Sequence, residues 1–207
     1  MQPVEHCIPP QGADGQLIEI RIHGRGGQGN VVAAYLLATA AFEEGRYAQA
    51  FPAFGAERRG APVTAFVRIA DRPIRRRCQV REPAFLIVQD DTLLHLPDIT
   101  AGLRAGGAVL VNSNRAGAEL SAQLGCDTVA LPASALALEI LGRPVPNTAL
   151  LSAFLELTGL LPRAALVKAL GERFRGAVLE QNQALVERAA SAVTAGAWQE
   201  GPHAVRA

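Results

Sequence analysis

Apolar and polar side chains alternate along Leu17–His23, where an isoleucine takes every second position. This two-residue period predicts a strand with one apolar face. The glycine-rich turn Gly24–Gly29 follows, and from Asn30 to Gly45 the period becomes helical, which predicts a helix that ends at a glycine. The chain thus runs from strand through glycine turn to helix. The residues with helical spacing are Val31, Tyr35, Ala38 and Phe42.

Three further apolar segments predict strands. Pro62–Ile69 alternates like the first strand, and Asp71–Pro73 predicts a turn into a second short segment ending near Val80, which together would form a hairpin. Ala84–Val88 and Ala108–Val111 are continuously apolar, which is typical of central parallel strands. Polar residues follow both apolar runs and are expected to line a crevice: Gln89, Asp90, Asp91, Asn112, Ser113 and Asn114.

The rest of the pattern predicts one more strand, Asp127–Leu131, and a series of helices. Strands that alternate with helices favour a three-layer α/β/α, Rossmann-like fold, with a largely parallel sheet, one antiparallel element and helices at the C-terminus. Residues 17–196 would form this domain, between an N-terminal extension (1–16) and a tail (197–207). The predicted helices are Leu94–Ala105, Gly117–Gly125, Ala133–Gly142, Asn147–Gly159, Pro162–Arg173 and Ala177–Ala195.

Composition narrows the class of protein. The chain has 207 residues, of which 49% are hydrophobic and 19% charged, so it has the apolar content of one folded domain and not of a disordered chain. No run of residues approaches the roughly 20 apolar positions needed to span a bilayer, and the N-terminus lacks a signal pattern. We therefore expect a cytoplasmic protein without a membrane span.

Charge is balanced overall but unevenly distributed. The formal net charge is +1, whereas Arg46–Arg81 carries nine arginines against Glu57 and Asp71. The overall balance gives no reason to expect a nucleic-acid partner. Arg75–Arg77, within this block, are interpreted as a solvated surface.

No complete catalytic or metal-binding set is visible. The three cysteines, Cys7, Cys78 and Cys126, are far apart and lack the spacing of an iron–sulfur or zinc site, so any redox metal should belong to another chain, and these thiols should be reduced. The histidines have no nearby nucleophile, and Asp90-Asp91 is a lone carboxylate pair. His23, the histidine next to the glycine turn, is interpreted as structural.

The glycine turn is the first candidate binding element. Gly24, Gly26 and Gly29 fit GxGxxG between a strand and a helix, where free backbone N–H groups and the helix dipole stabilise a phosphate. A merely tight turn is the plain alternative. A dinucleotide site would also need an acidic residue after the second strand, but Glu43 and Glu44 are still on the helix.

The second candidate element is Phe51–Gly60, which has neither a helical nor a strand period. Its adjacent Arg58 and Arg59 offer planar donor groups suited to phosphate or carboxylate, and Glu57 could orient one of them. A surface loop with solvated arginines is the alternative.

Four segments together resemble the gamma subunit of the 2-oxoacid:acceptor oxidoreductases, the family that includes pyruvate:ferredoxin oxidoreductase. They are Ile20–Gly29 with its GRGGQG, Ala40–Ala48, Phe51–Val63 with its GAERRG, and Pro146–Ala149. The resemblance extends over roughly residues 17 to 190. The paired glycine and arginine motifs are far more specific than GxGxxG alone.

This resemblance implies a subunit of an anaerobic-type enzyme complex and not a complete enzyme. Such complexes oxidatively decarboxylate a 2-oxoacid with CoA to acyl-CoA and CO2. Thiamine diphosphate lies between alpha and beta subunits, and iron–sulfur clusters on other chains, including delta-type subunits, pass electrons to ferredoxin or NAD. This chain would bind no cofactor alone, but its Gly24, Gly26, Gly27, Gln28 and Gly29 would face the shared cleft, with Arg58 and Arg59 contacting CoA phosphates or a partner.

Two points stay open at this stage. GxGxxG alone would also suit a stand-alone dinucleotide-binding module or an NAD(P)-dependent dehydrogenase. The substrate is not chosen either, because pyruvate and aromatic oxoacids such as phenylglyoxylate are handled by similar assemblies, and selectivity should lie where thiamine binds.

Overall fold

The structure, a computed structural model, describes residues 17–53 and 60–199. Its strands are β1 (Leu17–Arg25), β2 (Tyr47–Pro52), β3 (Pro62–Ala70), β4 (Phe85–Val88), β5 (Ala108–Asn112) and β6 (Asp127–Leu131). Its helices are α1 (Asn30–Glu43), α2 (Gly117–Leu124), α3 (Ala133–Leu141), α4 (Asn147–Thr158), α5 (Arg163–Arg173) and α6 (Gly176–Ala190). A short 3₁₀ helix spans Asp91–His95.

Within the described residues the strands form one six-stranded sheet in the order β2-β3-β1-β4-β5-β6. β1, β4, β5 and β6 are parallel neighbours, whereas β3 is antiparallel to both β1 and β2. This confirms the predicted α/β fold with a largely parallel sheet, one reversed strand and a C-terminal run of helices.

Helices cover the two faces of the sheet unequally. One face packs on α1 and on α3 to α6, in a large apolar core that includes Ile20, Ile87 and Phe154. The other face has a smaller core, in which Leu86 and Leu93 meet Leu120 of α2. The fold is therefore a thick helical layer, a sheet and a thin layer built from α2, the 3₁₀ helix and irregular segments.

Both faces of β1 are buried, with opposite chemistry. Ile18, Ile20 and Ile22 lie in the large core at 2% exposure or less. The alternate residues point to the other face, where Glu19 is 4% and Arg21 9% exposed. The alternation in the sequence thus predicted the apolar face correctly, and the polar face is covered as well.

The predicted hairpin has the wrong second strand. β3 pairs with β2, which precedes it, from Tyr47 opposite Ala70 to Pro52 opposite Ala65. Residues 71–83 form no strand. Their carbonyl groups bind side chains instead, since buried Arg68 donates to the carbonyl oxygen of Cys78 at 2.7 Å.

The predicted helix Leu94–Ala105 is also wrong. The 3₁₀ helix gives way after His95 to irregular turns, because Pro97 has no amide hydrogen and cannot continue a helix. Leu94 and Ile99 still bury their side chains in the smaller core. The helical spacing of apolar residues in this segment reflects their burial in the smaller core and not a helix.

α1 has the predicted bounds but a different buried face. Tyr35 and Phe42, which set the helical spacing, are 51% and 73% exposed. The helix packs on the sheet through small and branched residues such as Ala33, Leu37 and Ala40. In the described residues no helix has the length and apolarity to cross a membrane.

Candidate functional site

The predicted crevice falls where β1 and β4 lie side by side. The chain leaves these parallel strands in opposite directions, toward β3 and β2 on one side and toward β5 and β6 on the other. In open α/β sheets ligands bind at the carboxyl ends of the strands at such a point. The glycine turn follows β1 and Gln89-Asp90 follows β4, so both predicted polar elements meet there.

The polar residues at the strand ends bind one another. The side chain of Asn112 donates to the carbonyl oxygen of Gln89 at 2.9 Å, and the Ser113 hydroxyl donates to Asp91 at 2.8 Å. Asn112 also bonds the start of α3, since its side-chain oxygen accepts from the Ser134 amide at 3.0 Å. These polar residues therefore lie together at the carboxyl edge of the sheet, and none of them lines the pocket described below.

Two of the glycines are needed for packing. A side chain at Gly24 would collide with the amide group of Asn30, and a Cβ at Gly29 would lie 2.8 Å from the side-chain nitrogen of Asn147. Gly29 also has a φ of 83°, a left-handed conformation in which only glycine is unstrained. These two glycines therefore let the start of α1 approach β1 and α4, as the tight-turn interpretation requires.

Gly27 differs from both, because a Cβ there would meet no atom within 4 Å of the described residues. Its φ of 97° still favours glycine. The turn is held to the start of β3, since the Gly26 amide donates to the Ala61 carbonyl at 2.9 Å. Gly27 is thus the exposed tip of an otherwise fixed loop.

Asp90 accepts hydrogen bonds from the side chains of Arg25 and Gln28 and so fixes the glycine turn, a role that was not predicted from the sequence. Its Oδ2 accepts from Nε of Arg25 at 3.1 Å and from Nε2 of Gln28 at 2.9 Å, while Oδ1 accepts from the Thr92 amide at 3.0 Å. Burial alone would raise the pKa of Asp90, but the hydrogen bonds from Thr92 and Gln28 and the charge of Arg25 outweigh it and lower the pKa. The signal was an acid directly after the strand beside the glycine turn.

Gln28 is bonded at both ends of its amide. Its oxygen accepts from the Arg25 backbone N–H at 2.7 Å while its nitrogen donates to Asp90. Arg25 adds a bond from Nη1 to the Gly60 carbonyl at 3.1 Å. The turn is therefore preorganised by the chain itself.

Unsatisfied polar groups remain on the other side of the turn. The side-chain oxygen of Asn30 and both polar atoms of Gln89 make no hydrogen bond to a described residue, although these residues are only 3% and 1% exposed. The first amides of α1 add N–H donors at the positive end of the helix dipole, because helix starts have no intrahelical acceptor for them. This edge therefore offers both unpaired donors and unpaired acceptors to a ligand.

His23 is neutral and hydrogen-bonded. Nε of Arg21 donates to its Nε2 at 3.2 Å, and Nδ1 lies 3.4 Å from the Thr64 hydroxyl. Burial, with the charge of Arg21 second, lowers the pKa of His23 to about 3. This environment suits the structural interpretation and excludes an imidazolium near neutral pH.

Beside the turn, a pocket of about 270 Å³ opens on the thin side of the sheet. It lies between the end of β1, the start of β3 and the turns after the 3₁₀ helix. We call it the His23 pocket, and it is lined by His23, Gly24, Pro62, Val63, Thr64, Leu93, Leu96, Pro97, Asp98 and Ile99.

The other predicted site residues are the arginines of the basic block. Arg58 and Arg59 lie outside the described residues. Arg75 and Arg77 are exposed as expected, whereas Arg76 reaches Glu19 with Nη1 3.8 Å from Oε2. In residues 17–53 and 60–199 no group of three His, Cys, Asp or Glu side chains could hold a metal ion.

The fold and the site together define an α/β domain that presents a rigid glycine turn, a helix start and a small pocket at the carboxyl edge of its parallel strands. Comparison with known proteins identifies the family of this domain.

The family described as pyruvate ferredoxin/flavodoxin oxidoreductase matches residues 19–192. The common gamma subunit of the pyruvate/ketoisovalerate oxidoreductases of Thermococcus kodakarensis is 51% identical over 176 residues, which cover 84% of this chain and 95% of that protein. Pyruvate synthase subunit PorC of Methanothermobacter marburgensis is 51% identical over 166 residues, covering 80% and 92%.

A solved structure agrees with these relatives. The pyruvate oxidoreductase subunit PORC from Thermotoga maritima superposes with a TM-score of 0.77 at 37% identity, over 85% of this chain and 96% of that one. The chain therefore belongs to the pyruvate ferredoxin/flavodoxin oxidoreductase family, and the resemblance drawn from its motifs is confirmed.

Proposed function

We propose that this chain is the gamma subunit of a 2-oxoacid:acceptor oxidoreductase that converts a 2-oxoacid and CoA to acyl-CoA and CO2. The observation that carries the proposal is the match to a gamma subunit: the Thermococcus kodakarensis protein is 51% identical over 176 residues, which cover 84% of this chain and 95% of that protein. Alpha, beta and delta-type subunits would hold thiamine diphosphate and the iron–sulfur clusters. Ferredoxin or NAD would accept the electrons.

The support that this chain itself gives lies at the carboxyl edge of its sheet. The site at the carboxyl edge does suit CoA, because the start of α1 favours phosphate oxygens. The glycine turn would form the wall of the shared cleft, with Arg58 and Arg59 as phosphate ligands. The turn residues concerned are Gly24, Gly26, Gly27, Gln28 and Gly29.

Selection of the 2-oxoacid substrate is assigned to the partner subunits and not to this chain. The Thermococcus kodakarensis relative is described as common to pyruvate and ketoisovalerate oxidoreductases, so one gamma chain serves two substrates there. We infer that this chain likewise accepts whichever oxoacid its partners bind. Its own contribution would be to orient CoA and to exclude water from the cleft.

The topology does not favour the alternative of a dinucleotide-binding module. In a Rossmann unit the strand after the glycine turn and helix lies beside the first strand and supplies the acid for the ribose. Here the antiparallel strand β3 separates β2 from β1, and β2 contains no acidic residue. Asp90 also already occupies the donors of Arg25 and Gln28.

Anoxic purification of a tagged copy from its native cell tests the proposal. We expect thiamine-binding and iron–sulfur chains to co-elute, with reduction of a viologen dye that depends on both a 2-oxoacid and CoA. The oxoacid that supports activity identifies the substrate. A chain that elutes alone, without such activity, would overturn the proposal.

A further inference from the structure

α1 turns an apolar side away from the protein. Tyr35 and Phe42 are seven residues apart, which puts them on one side of the helix, and they are 51% and 73% exposed. The helix contains no lysine, arginine or aspartate, and its one charged residue is the last, Glu43. A surface helix normally presents charged or polar residues to water on its outer side. This side therefore has the composition of a surface that another protein covers.

The exposed side of α1 has two large rings with a shallow notch between them. Between Tyr35 and Phe42 lie only the small side chains of Ala38 and Thr39, which are half-buried. Helices pack on one another by inserting side chains of one between residues that are three and four apart on the other. The notch therefore fits a large aliphatic side chain from a helix laid along α1. We call this surface the α1 face, and it consists of Val31, Tyr35, Ala38, Thr39 and Phe42.

Two carboxylates lie at the end of the α1 face. Glu43 and Glu44 are exposed and make no ion pair within residues 17–53 and 60–199. The nearest basic residue along the chain, Arg46, pairs instead with Asp71, with Nη2 2.9 Å from Oδ1. Acidic side chains are unfavourable at the C-terminal end of a helix, where the dipole is negative. A basic group from a docked partner would relieve this repulsion.

A second copy of α1 cannot supply that basic group. Its apolar face ends in the same Glu43 and Glu44, and the helix has no lysine or arginine. In a parallel pair the carboxylates would repel one another, and in an antiparallel pair they would face the start of the other α1, which has no basic side chain. Charge complementarity therefore favours a different chain, whose helix combines an apolar stripe with a lysine or arginine near one end.

We propose that the α1 face binds an amphipathic helix of a partner subunit, which inserts an aliphatic side chain between Tyr35 and Phe42 and pairs a lysine or arginine with Glu43 or Glu44. The existence of partner subunits rests on the proposed function. The rings would form the buried centre of the contact and the ion pair its polar rim. Phe42 and the carboxylates lie at the opposite end of α1 from the glycine turn, so this surface is separate from the site at the carboxyl edge.

Removal of one ring tests the apolar contact. Phe42 is 73% exposed, so Phe42→Ala should leave the fold intact, which thermal melting by circular dichroism checks. The fluorescently labelled full-length chain is titrated with partner subunits purified from cells that lack it. We expect Phe42→Ala to raise Kd about 10- to 100-fold, the range for loss of an aromatic side chain at the centre of an interface. Leu138→Ala is the matched control, because Leu138 is 54% exposed on α3, and it should bind like wild type.

Neutralising the carboxylates tests the charge. We expect the double variant Glu43→Gln, Glu44→Gln to raise Kd about two- to five-fold at low salt, because an exposed ion pair contributes little. The increase of Kd with salt should also become shallower, since salt screens such a pair. The control is Glu139→Gln with Glu180→Gln, two exposed acids of α3 and α6 without an ion pair in the described parts of the chain. It should keep the wild-type Kd and salt dependence.

A photo-crosslinker identifies what covers the α1 face. Benzoylphenylalanine replaces Phe42 in the full-length chain, the complex is assembled and irradiated, and the cross-linked peptide is sequenced by mass spectrometry. We expect a peptide from a partner subunit with apolar residues at three- and four-residue spacing and a lysine or arginine near one end. No cross-link, a cross-link to a second copy of this chain, or a partner peptide without that pattern would overturn the proposal. The same group in place of Leu138 should not capture that peptide.

The outcomes separate this inference from the proposed function. If the wild-type chain binds the partner subunits and Phe42→Ala binds them equally well, the docking surface is wrong and the proposed function stands. If the wild-type chain binds neither thiamine-binding nor iron–sulfur subunits, the proposed function fails, and the partner assigned to the α1 face fails with it.

Discussion

Both faces of β1 are largely buried, but they are built from opposite chemistry. Ile18, Ile20 and Ile22 face the large helical core, where burial of apolar surface stabilises the fold. Glu19, Arg21 and His23 face the thin side: Arg21 bonds His23, Glu19 pairs with Arg68, and His23 lines the His23 pocket. Burying charged groups costs free energy that burying hydrocarbon does not, so the thin side contributes less to stability per buried side chain than the helical side.

The largest expected effect is on the apolar side. Phe154 of α4 is fully buried, and its ring lies 5.4 Å from that of Phe85 on β4. Phe154→Ala should lower the free energy of unfolding by about 3–5 kcal/mol. Urea denaturation measures the loss, and Phe42→Ala, at a side chain that is 73% exposed, should change it by less than about 0.5 kcal/mol.

The next largest effect is expected from breaking the ion pair between Glu19 and Arg68 on the thin side. Oε1 of Glu19 accepts from Nε of Arg68 at 2.8 Å, and Arg68 is 1% exposed. Glu19→Leu leaves that guanidinium without its carboxylate and should cost about 3 kcal/mol. Glu19→Leu combined with Arg68→Met should recover most of the loss. Equal destabilisation by the single and double variants would show that the pair itself holds this face together.

Hydrophobic periodicity predicted the elements that pack in an apolar core and missed segments held by polar contacts. Periodicity located β1, α1, β4, β5, β6 and the C-terminal helices, because their apolar residues follow the period of the structure that buries them. It failed for residues 71–83 and 94–105, whose polar groups bind distant side chains or whose turns contain Pro97. Such contacts depend on tertiary structure and leave no local period.

The candidate site follows the same rule: its local patterns were predictable from the sequence, and its long-range contacts were not. The glycine turn and the polar strand ends are local patterns, and both lie where expected. The bond between Gln28 and Asp90 joins residues 62 positions apart, and the pocket combines β1, β3 and an irregular segment. Sequence alone could name these residues only as separate candidates.

A smaller effect comes from the pH dependence of His23. Its pKa is about 3 in the fold and near 6.5 when unfolded, so the unfolded chain binds a proton that the folded chain excludes. Stability is therefore complete above the unfolded pKa and falls as the pH drops toward 3. From pH 7 to pH 5 we expect a loss of about 1–2 kcal/mol. Denaturation at both pH values should show this slope in wild type and a shallower one in His23→Asn.

The smallest expected effect is at the glycine turn. Asp90→Asn weakens the acceptor shared by Arg25 and Gln28 and should cost about 1 kcal/mol. Amide hydrogen exchange should accelerate at the turn, where the Arg25 N–H is held by Gln28, and stay slow in β5. Unchanged exchange at Arg25 would mean that Asp90 does not hold the turn.

As one subunit of a 2-oxoacid oxidoreductase, this chain should be required for the activity of the complex. Omission and add-back measure that requirement: the partner subunits are purified from cells that lack this chain, and CoA-dependent oxoacid oxidation is measured before and after the purified chain is added. We expect little activity without the chain and recovery at stoichiometric addition. Full activity in its absence would show that the chain is not a required subunit.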